Sequence, residues 1–469
     1  MKLAPYPEYK DAVVSWVGSI PAHWPEKRAK YYFKEIDDRS LTGDEEMLSV
    51  SHITGVTPRS QKNVTMFKAE SNVGQKRCQP GDLIINTMWA WMSALGVSNH
   101  AGIVSPAYGV YRPRSNQDYD YYYLDSLLRI EGYRSEYICR STGIRSSRLR
   151  LYPDKFLSMP VVCPPQEEQQ AIARFLKAQD RLFRKFIRNK RRFIELLKEQ
   201  KQNVINQAVT RGLDPNVKFK PSGVEWIGDI PEHWDATKLK RVVSFNPSKS
   251  ETRANPADEE KVVFLPMENI SVNGDIDCSE KRTLSEVWNG FTYFRRGDVV
   301  VAKITPCFEN GKGAYLKGLE SDFGFGTTEL IVLRPSKAID GAFLRFLTST
   351  KQFLLLGEQY MTGAAGQQRI PSDFVKNYPI GLPPIDEQLE ILEHIQEKSA
   401  EIDQAISRAQ REIELMREYR TRLISDVVTG QVDVRNVKCE GGSLNEDEFE
   451  DIEEVEEEIE LPEGGEDDE

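Results

Sequence analysis

The side chains whose types and spacing can do chemistry are few, and they favour binding over catalysis. The chain has five His. His23 and His233 sit at matching places in a repeated nonapeptide, His394 falls in a long helical stretch, and His52 and His100 have no neighbours at triad or metal-ligand spacing. Surface and packing roles account for all five. The six Cys (78, 139, 163, 278, 307 and 439) form no C-x-x-C pair, which argues against a zinc site or disulfide framework and for a reducing compartment. Residues 245–250, FNPSKS, approach the N-P-P-[YF] element of adenine methyltransferases, but Ser248 replaces the second Pro and Lys249 the aromatic that would stack a flipped base. Residues 256–261, PADEEK, read as a solvated loop rather than a nuclease acid–Lys pattern, and no phosphate-cradling G-x-x-x-x-G-K-[ST] occurs. No catalytic residue, metal ligand or cofactor is expected.

Two loops carry better-suited chemistry. CRSTGIRSSRLR (139–150) places Arg140, Arg145, Arg148 and Arg150 among small polar residues that include Thr142. MTGAAGQQRI (361–370) places Gln367, Gln368 and Arg369 beside Thr362, Gly363 and Gly366. Arg pairs bidentately with guanine and Gln with adenine in the major groove, while small residues let the backbone approach phosphate. Equivalent loops with unlike side chains suit two readers of different sequences; a charged surface loop is the alternative. Arg59 and Lys62 in the first half, and Lys303 and Lys312 in the second, are further DNA-contact candidates. The basic run RLFRKFIRNKRR (181–192) reads as a solvated helical face, with phosphate contact as the other reading.

The elements that must position these loops are written twice. WVGSIPAHW (16–24) is echoed by WIGDIPEHW (226–234), PGDLIINT (80–87) by RGDVVVAK (296–303), and SPAYGVYRP (105–113) by TTELIVLRP (327–335). STGIRSSRLRLYPDKF (141–156) then parallels MTGAAGQQRIPSDF (361–374), PPQEEQ (164–169) parallels PPIDEQ (383–388), and AVTRGLD (208–214) parallels VVTGQVD (427–433). Six matches in one order identify a tandem duplication. The Gly-Asp runs and the runs ending in Arg-Pro read as strands, and 123–129 and 343–350 as helices, so each copy opens with a mixed α/β domain. In the nonapeptide, Ile-Pro restricts the backbone and Trp16, Trp24, Trp226 and Trp234 serve as structural anchors.

Each copy closes on a long helix. From Leu392 through Ile395, Ser399, Ile402, Ile406, Ala409, Ile413, Met416, Arg420, Leu423 and Val427, spacings of three and four alternate without a Gly or Pro, a coiled-coil seam. The first copy repeats it through Leu176, Phe183, Ile187, Ile194, Leu197 and Val204. Each seam needs a partner, and chain order makes an intramolecular pair antiparallel. The expected organisation is a head at 1–163, a helix at 164–211, a second head with its entry linker at 212–382, a second helix at 383–436 and a tail from 437, the heads at opposite ends of a two-helix rod.

Charge is distributed unevenly. Residues 440–469 carry 17 Asp and Glu and no Lys or Arg, leaving 62 basic against 56 acidic groups elsewhere. The tail is expected to be disordered and solvating, while the mildly basic body permits a polyanionic partner. Apolar runs are too short for a membrane span, mean hydropathy is −0.52, and the N-terminus lacks an export h-region, so a cytoplasmic protein is expected.

The paired W-[IV]-G-x-I-P-x-H-W segments, the PP-x-x-EQ helix starts and the TRGLD exit together resemble the specificity subunit of type I restriction–modification systems, over about residues 16–436. That resemblance implies two target recognition domains, each reading half of a split site in double-stranded DNA. It also implies a helical spacer that fixes the unread gap and docks two methyltransferase subunits, with motor-nuclease restriction subunits completing the complex. The acidic tail departs from the family's short C-terminus. An interaction scaffold with two adhesive heads on a coiled-coil strut, binding proteins and never DNA, is the competing reading.

Overall fold

In the computed structural model, two Gly-Asp turns each feed a buried strand that becomes the centre of a four-stranded sheet. Described are residues 3–14, 16–61, 71–115, 119–143, 149–224, 227–252, 254, 259–364 and 366–437. The expected tail therefore lies outside the described residues apart from Val437, as does Trp226. The chain divides into two compact units, Met1–Lys190 with Arg411–Glu469, and Arg191–Gln410.

In the first unit the strand order is Phe33–Glu35, Gly109–Pro113, Leu83–Ile85, Leu95–Val97, all antiparallel. Helices Tyr121–Leu128 and Glu131–Arg140 cover it, and Phe33, Tyr111, Tyr123, Tyr133, Tyr137 and Phe156 fill the core. A smaller β layer is built from hairpin Leu48–Ser51 with Gly55–Pro58 and pair Lys76–Cys78 with Gly102–Val104, linked by the parallel bridge Met47–Ile103.

The second unit repeats this plan. Its sheet runs Val243–Phe245, Leu330–Pro335, Val299–Ala302, Gly313–Tyr315, under helices Gly341–Leu347 and Lys351–Gln359. The smaller layer is here a continuous sheet, Lys281–Thr283, Lys261–Leu265, Phe323–Gly326, Thr292–Arg295, with its middle pair parallel. Two unlike stretches of sequence thus arrive at one strand order, and the duplication read from short motifs holds through the sheets.

The repeated motifs recur because they bond to one another. Asp82 of PGD, only 1% exposed, receives a two-pronged ion pair from Arg112 of YRP at 2.8 and 2.7 Å. Asp298 of RGD, also 1% exposed, receives the same from Arg334 of LRP at 2.6 and 2.8 Å. A buried carboxylate demands such a partner, so the two motifs are kept as a pair.

The long helices are Gln166–Arg211 and Ile385–Val428. Each begins after Pro-Pro with two acidic residues in its first turn, Glu167 and Glu168 or Asp386 and Glu387, where the helix dipole favours negative charge. Each ends at a Gly with positive φ, Gly212 and Gly430. At Gly430 a Cβ would lie 2.5 Å from Pro21, so nothing larger fits.

The two helices pair antiparallel. Within the first unit Asp180 meets Arg420 at 2.7 Å, the Phe183 and Tyr419 rings lie 5.8 Å apart, and Lys190 meets Glu412 at 2.5 Å, partner numbers falling as the first helix advances. Within the second unit Lys201 bonds Asp403 at 2.8 Å in the same reversed sense. Of the expected seam, Leu176, Phe183, Ile187, Ile194, Leu197, Ile395, Ile402, Ile413 and Leu423 are buried. Val204, Ile406 and Met416 are half-buried. Ile205 takes the fully buried place beside Val204 because a straight helix drifts from a strict heptad, and near each head the buried stripe widens onto the globular core.

Candidate nucleic-acid interface

The base of each head is a bracket joining the nonapeptide to the start of a long helix. Glu168 accepts hydrogen bonds from Trp24 Nε1 at 2.9 Å and Tyr6 Oη at 3.1 Å and pairs with His23 Nε2 at 2.6 Å. Glu387 does the same for Trp234 at 3.0 Å and His233 at 2.7 Å. The next residue anchors the head's helix: Gln169 Oε1 accepts from the Asp120 amide and Gln388 Oε1 from the Asp340 amide, and these Asp cap Tyr121–Leu128 and Gly341–Leu347. The Trp, His, Glu and Gln of the repeated motifs are one structural joint. Trp24 and Trp234 are wholly buried there, and Trp16 packs edge-on against Tyr133 at 5.1 Å.

Above this base, both candidate loops close on the same neck. Thr142 and Arg150 exchange backbone hydrogen bonds at 3.0 and 2.9 Å, and Thr362 and Arg369 do so at 3.0 and 2.9 Å. The following residue ties each neck to the end of the Gly-Asp strand, Leu151 N to Thr87 O at 2.9 Å and Ile370 N to Lys303 O at 2.8 Å. Arg150 and Arg369 are therefore equivalent positions.

In the second unit the structure gathers several expected residues. Ile304 bridges Arg369, and Gln368 is fixed by Thr305, whose amide donates to its carbonyl at 3.0 Å and whose hydroxyl accepts from its amide at 3.1 Å. Thr362, Gly366 and Gln367 are exposed. The Arg369 guanidinium donates twice to Glu329, at 2.9 Å each, and Lys303 lies close enough to act on the same carboxylate. The hydrogen bonds from Arg369 hold the Glu329 carboxyl below its ordinary range; partial burial opposes them and Lys303 reinforces them. The Lys312 carbonyl accepts from the Ala302 amide at 3.0 Å, beside Lys303, and its ammonium donates to the Met267 carbonyl at 3.1 Å.

In the first unit Thr142 is exposed, and Arg140 is paired with Glu136 at 2.6 Å at the end of its helix. Arg145, Arg148 and Lys62 lie outside the described residues. Arg59 sits in the turn Arg59–Gln61 near Tyr108, whose phenol is pushed up by burial, with the Arg59 cation opposing. Tyr108 Oη receives a hydrogen bond from Asn86 at 3.2 Å and Thr87 Oγ1 donates to Ala107 O at 2.7 Å, which joins Arg59 through this segment to the loop neck. In the basic helical run, Arg184, Lys190 and Arg192 pair with Asp180, Glu412 and Glu195.

Sequence reasoning missed three residues here. Met88 and Trp89, 38% and 52% exposed, follow Thr87 directly on a turn held by hydrogen bonds from Trp89 N to Asn86 O and from Ala94 N to Trp89 O. The segment TMWAWMS (87–93) has no aromatic echo in KITPCFE (303–309) beyond Phe308, which is buried; an unmatched Trp in the repeat was the available signal. Glu329 is the third, and nothing in the sequence sets it beside Arg369. Among the described residues no group of three His, Cys, Asp or Glu can hold a metal ion.

No family model matches the chain. It is 36% identical over 203 residues to the type I restriction enzyme EcoEI specificity subunit of Escherichia coli, covering 42% of this chain and 33% of that protein. Against the EcoAI specificity subunit of the same organism it is 41% identical over 166 residues, 35% of this chain and 28% of that one. The chain is similar to type I restriction specificity subunits. The match spans about a third of the length of these relatives. A solved structure from work on complex assembly and conformational transition of the type I R-M system covers 88% of this chain and 99% of its own, with a TM-score of 0.62 and 13% identity. At that identity the likeness establishes the fold alone: two mixed domains and paired long helices.

Proposed function

We propose that the chain is the DNA-recognition subunit of a type I restriction–modification complex. Each unit reads one half of a split target in double-stranded DNA, and the paired helices set the unread gap and dock two methyltransferase subunits, to which restriction subunits are added. The proposed division is recognition domains at 1–163 and 212–382, spacer helices at 164–211 and 383–436, and the acidic tail from 437. The observation that carries this reading is the duplicated loop neck. The same bridge, Thr142–Arg150 or Thr362–Arg369, closes loops of different sequence in the two units, as two readers of different half-sites require.

The physics supports the division of labour. Phosphate contacts give salt-dependent affinity and base contacts give specificity. Two modest readers on one chain engage the second half-site at high effective concentration and so bind as one tight reader. The chain transfers no methyl group and cuts no strand itself; those reactions belong to the partner subunits. The competing protein scaffold gains nothing from the relatives, which are specificity subunits. Among the described residues no helix is long and apolar enough to cross a membrane.

Selection of bound duplexes from a random pool by the full chain with its methyltransferase subunits tests the proposal. Two short specified blocks separated by a constant number of free base pairs are expected, with affinity falling as salt rises. Recovery of unselected sequence, or binding indifferent to salt, refutes it.

A further inference from the structure

Glu329 stands where the first unit has Ala107, while the arginines they adjoin, Arg369 and Arg150, are equivalent. At this position the second unit sets an acid beside its loop-neck arginine, where the first unit has an alanine. The geometry is that of a two-pronged clamp: Arg369 Nε donates to Oε2 and Nη2 to Oε1, both at 2.9 Å, and Nη1 donates to the Gln367 carbonyl at 3.3 Å. The Arg369 backbone is held as well, by Thr362 on one side and Ile304 on the other. A long flexible side chain has thus become a fixed planar fork. Three of its five N–H hydrogens are engaged, one on each of Nη1 and Nη2 is left, and the side chain remains 43% exposed.

We propose that Glu329 is a positioning residue for sequence reading, which holds Arg369 so that its Nη1–Nη2 edge meets N7 and O6 of a guanine in the half-site read by the second unit. This rests on the proposed DNA-recognition function and names a determinant within it. Charge favours base reading over phosphate binding. The Arg369–Glu329 pair is neutral, so it contributes little counterion release, and the carboxylate repels phosphate oxygens. What the clamp supplies is direction, which matters for the paired acceptors of guanine.

The test uses the full chain and a duplex carrying its selected target, with each guanine of the second half-site replaced in turn by 7-deazaguanine, which lacks the N7 acceptor. One such replacement should weaken wild-type binding about tenfold and should leave Arg369→Ala and Glu329→Ala unchanged, because those variants have already lost the contact. Glu329→Ala should also lose its preference for that G·C pair by about tenfold to a hundredfold. Its binding to unrelated duplex should hold or strengthen, with a salt slope steeper by about one. Glu329→Gln, which keeps one acceptor and the shape, should recover part of the preference. A merely structural ion pair would instead lower affinity for all sequences alike. That result, or a wild-type protein indifferent to every 7-deazaguanine, overturns the assignment. A wild-type protein with no sequence preference on any duplex overturns the parent function instead, so the two failures are distinguishable.

Discussion

Replacing Glu168 with Ala should destabilise the first unit strongly. The carboxylate hydrogen-bonds three donors, Trp24 Nε1, Tyr6 Oη and His23 Nε2, at 2.9, 3.1 and 2.6 Å, and Arg435 lies 3.7 Å from it. Trp24 is wholly buried, so its indole N–H would be left without an acceptor, a loss of about 1–3 kcal/mol. Hydrogen bonds to a charged group contribute roughly 1.5–3 kcal/mol each, but the His23 side chain is 44% exposed and regains water. Allowing for that and for non-additivity, the expected loss is about 3–5 kcal/mol, the range for breaking a buried pair. For a unit of this size that lowers Tm by roughly 6–20 °C. Glu168→Gln offers one carbonyl acceptor to the three donors and should recover less than half. The twin change Glu387→Ala should cost less, because Glu387 serves two donors and is 23% exposed against 10% for Glu168. Guanidinium unfolding followed by tryptophan fluorescence measures all three variants. A Glu168→Ala protein within about 1 kcal/mol of wild type would refute the claim that this joint explains the repeated motifs.

Three other outcomes are expected. Asp298→Ala leaves Arg334, whose side chain is 13% exposed, with Glu251 as its remaining carboxylate and should cost the second unit about 3 kcal/mol in chemical denaturation, while Asp82→Ala should cost the first unit less, because Arg112 is 37% exposed and regains water. Cys78 is buried and its thiol is pushed up to about 11, chiefly by burial and then by Asp82, so at pH 8 iodoacetamide should label exposed Cys139 and spare Cys78, as read by peptide mass spectrometry. Trp89→Ala should weaken binding to the first half-site roughly tenfold with an unchanged salt slope, since an apolar contact releases no counterions, whereas Arg369→Ala should act on the second half-site alone, both measured by titration against duplexes altered in one half.

The duplication, the strands after each Gly-Asp turn, the helices and the antiparallel pairing were legible in the sequence. Each is written in periodicity or in a repeated motif that burial enforces, as the Asp82–Arg112 and Asp298–Arg334 pairs make plain. The smaller β layer was not legible, because its strands lie far apart in sequence and pair across long separations, Lys261–Leu265 with Phe323–Gly326 for example. At the candidate interface, residue type located the loop necks but not their chemistry. Lys312 was read as a DNA-contact candidate and its ammonium bonds a backbone carbonyl, and Arg369 was read among the loop's base-pairing side chains with nothing to show that Glu329, 40 residues earlier, lies against it. Such pairings follow from the sheet register, which composition does not encode.

Two readers spaced by paired helices are the central proposal, and lengthening both helices together tests it most directly. Seven residues in heptad register would be inserted after Glu195 and seven after Arg408, between the Lys190–Glu412 and Lys201–Asp403 ion pairs. One heptad adds about 10 Å of helix, which is roughly three base pairs at about 3.4 Å each. Selection from random duplex should return the same two half-sites with the gap widened by about that number. An unchanged gap, or a changed half-site with the gap retained, would contradict the account.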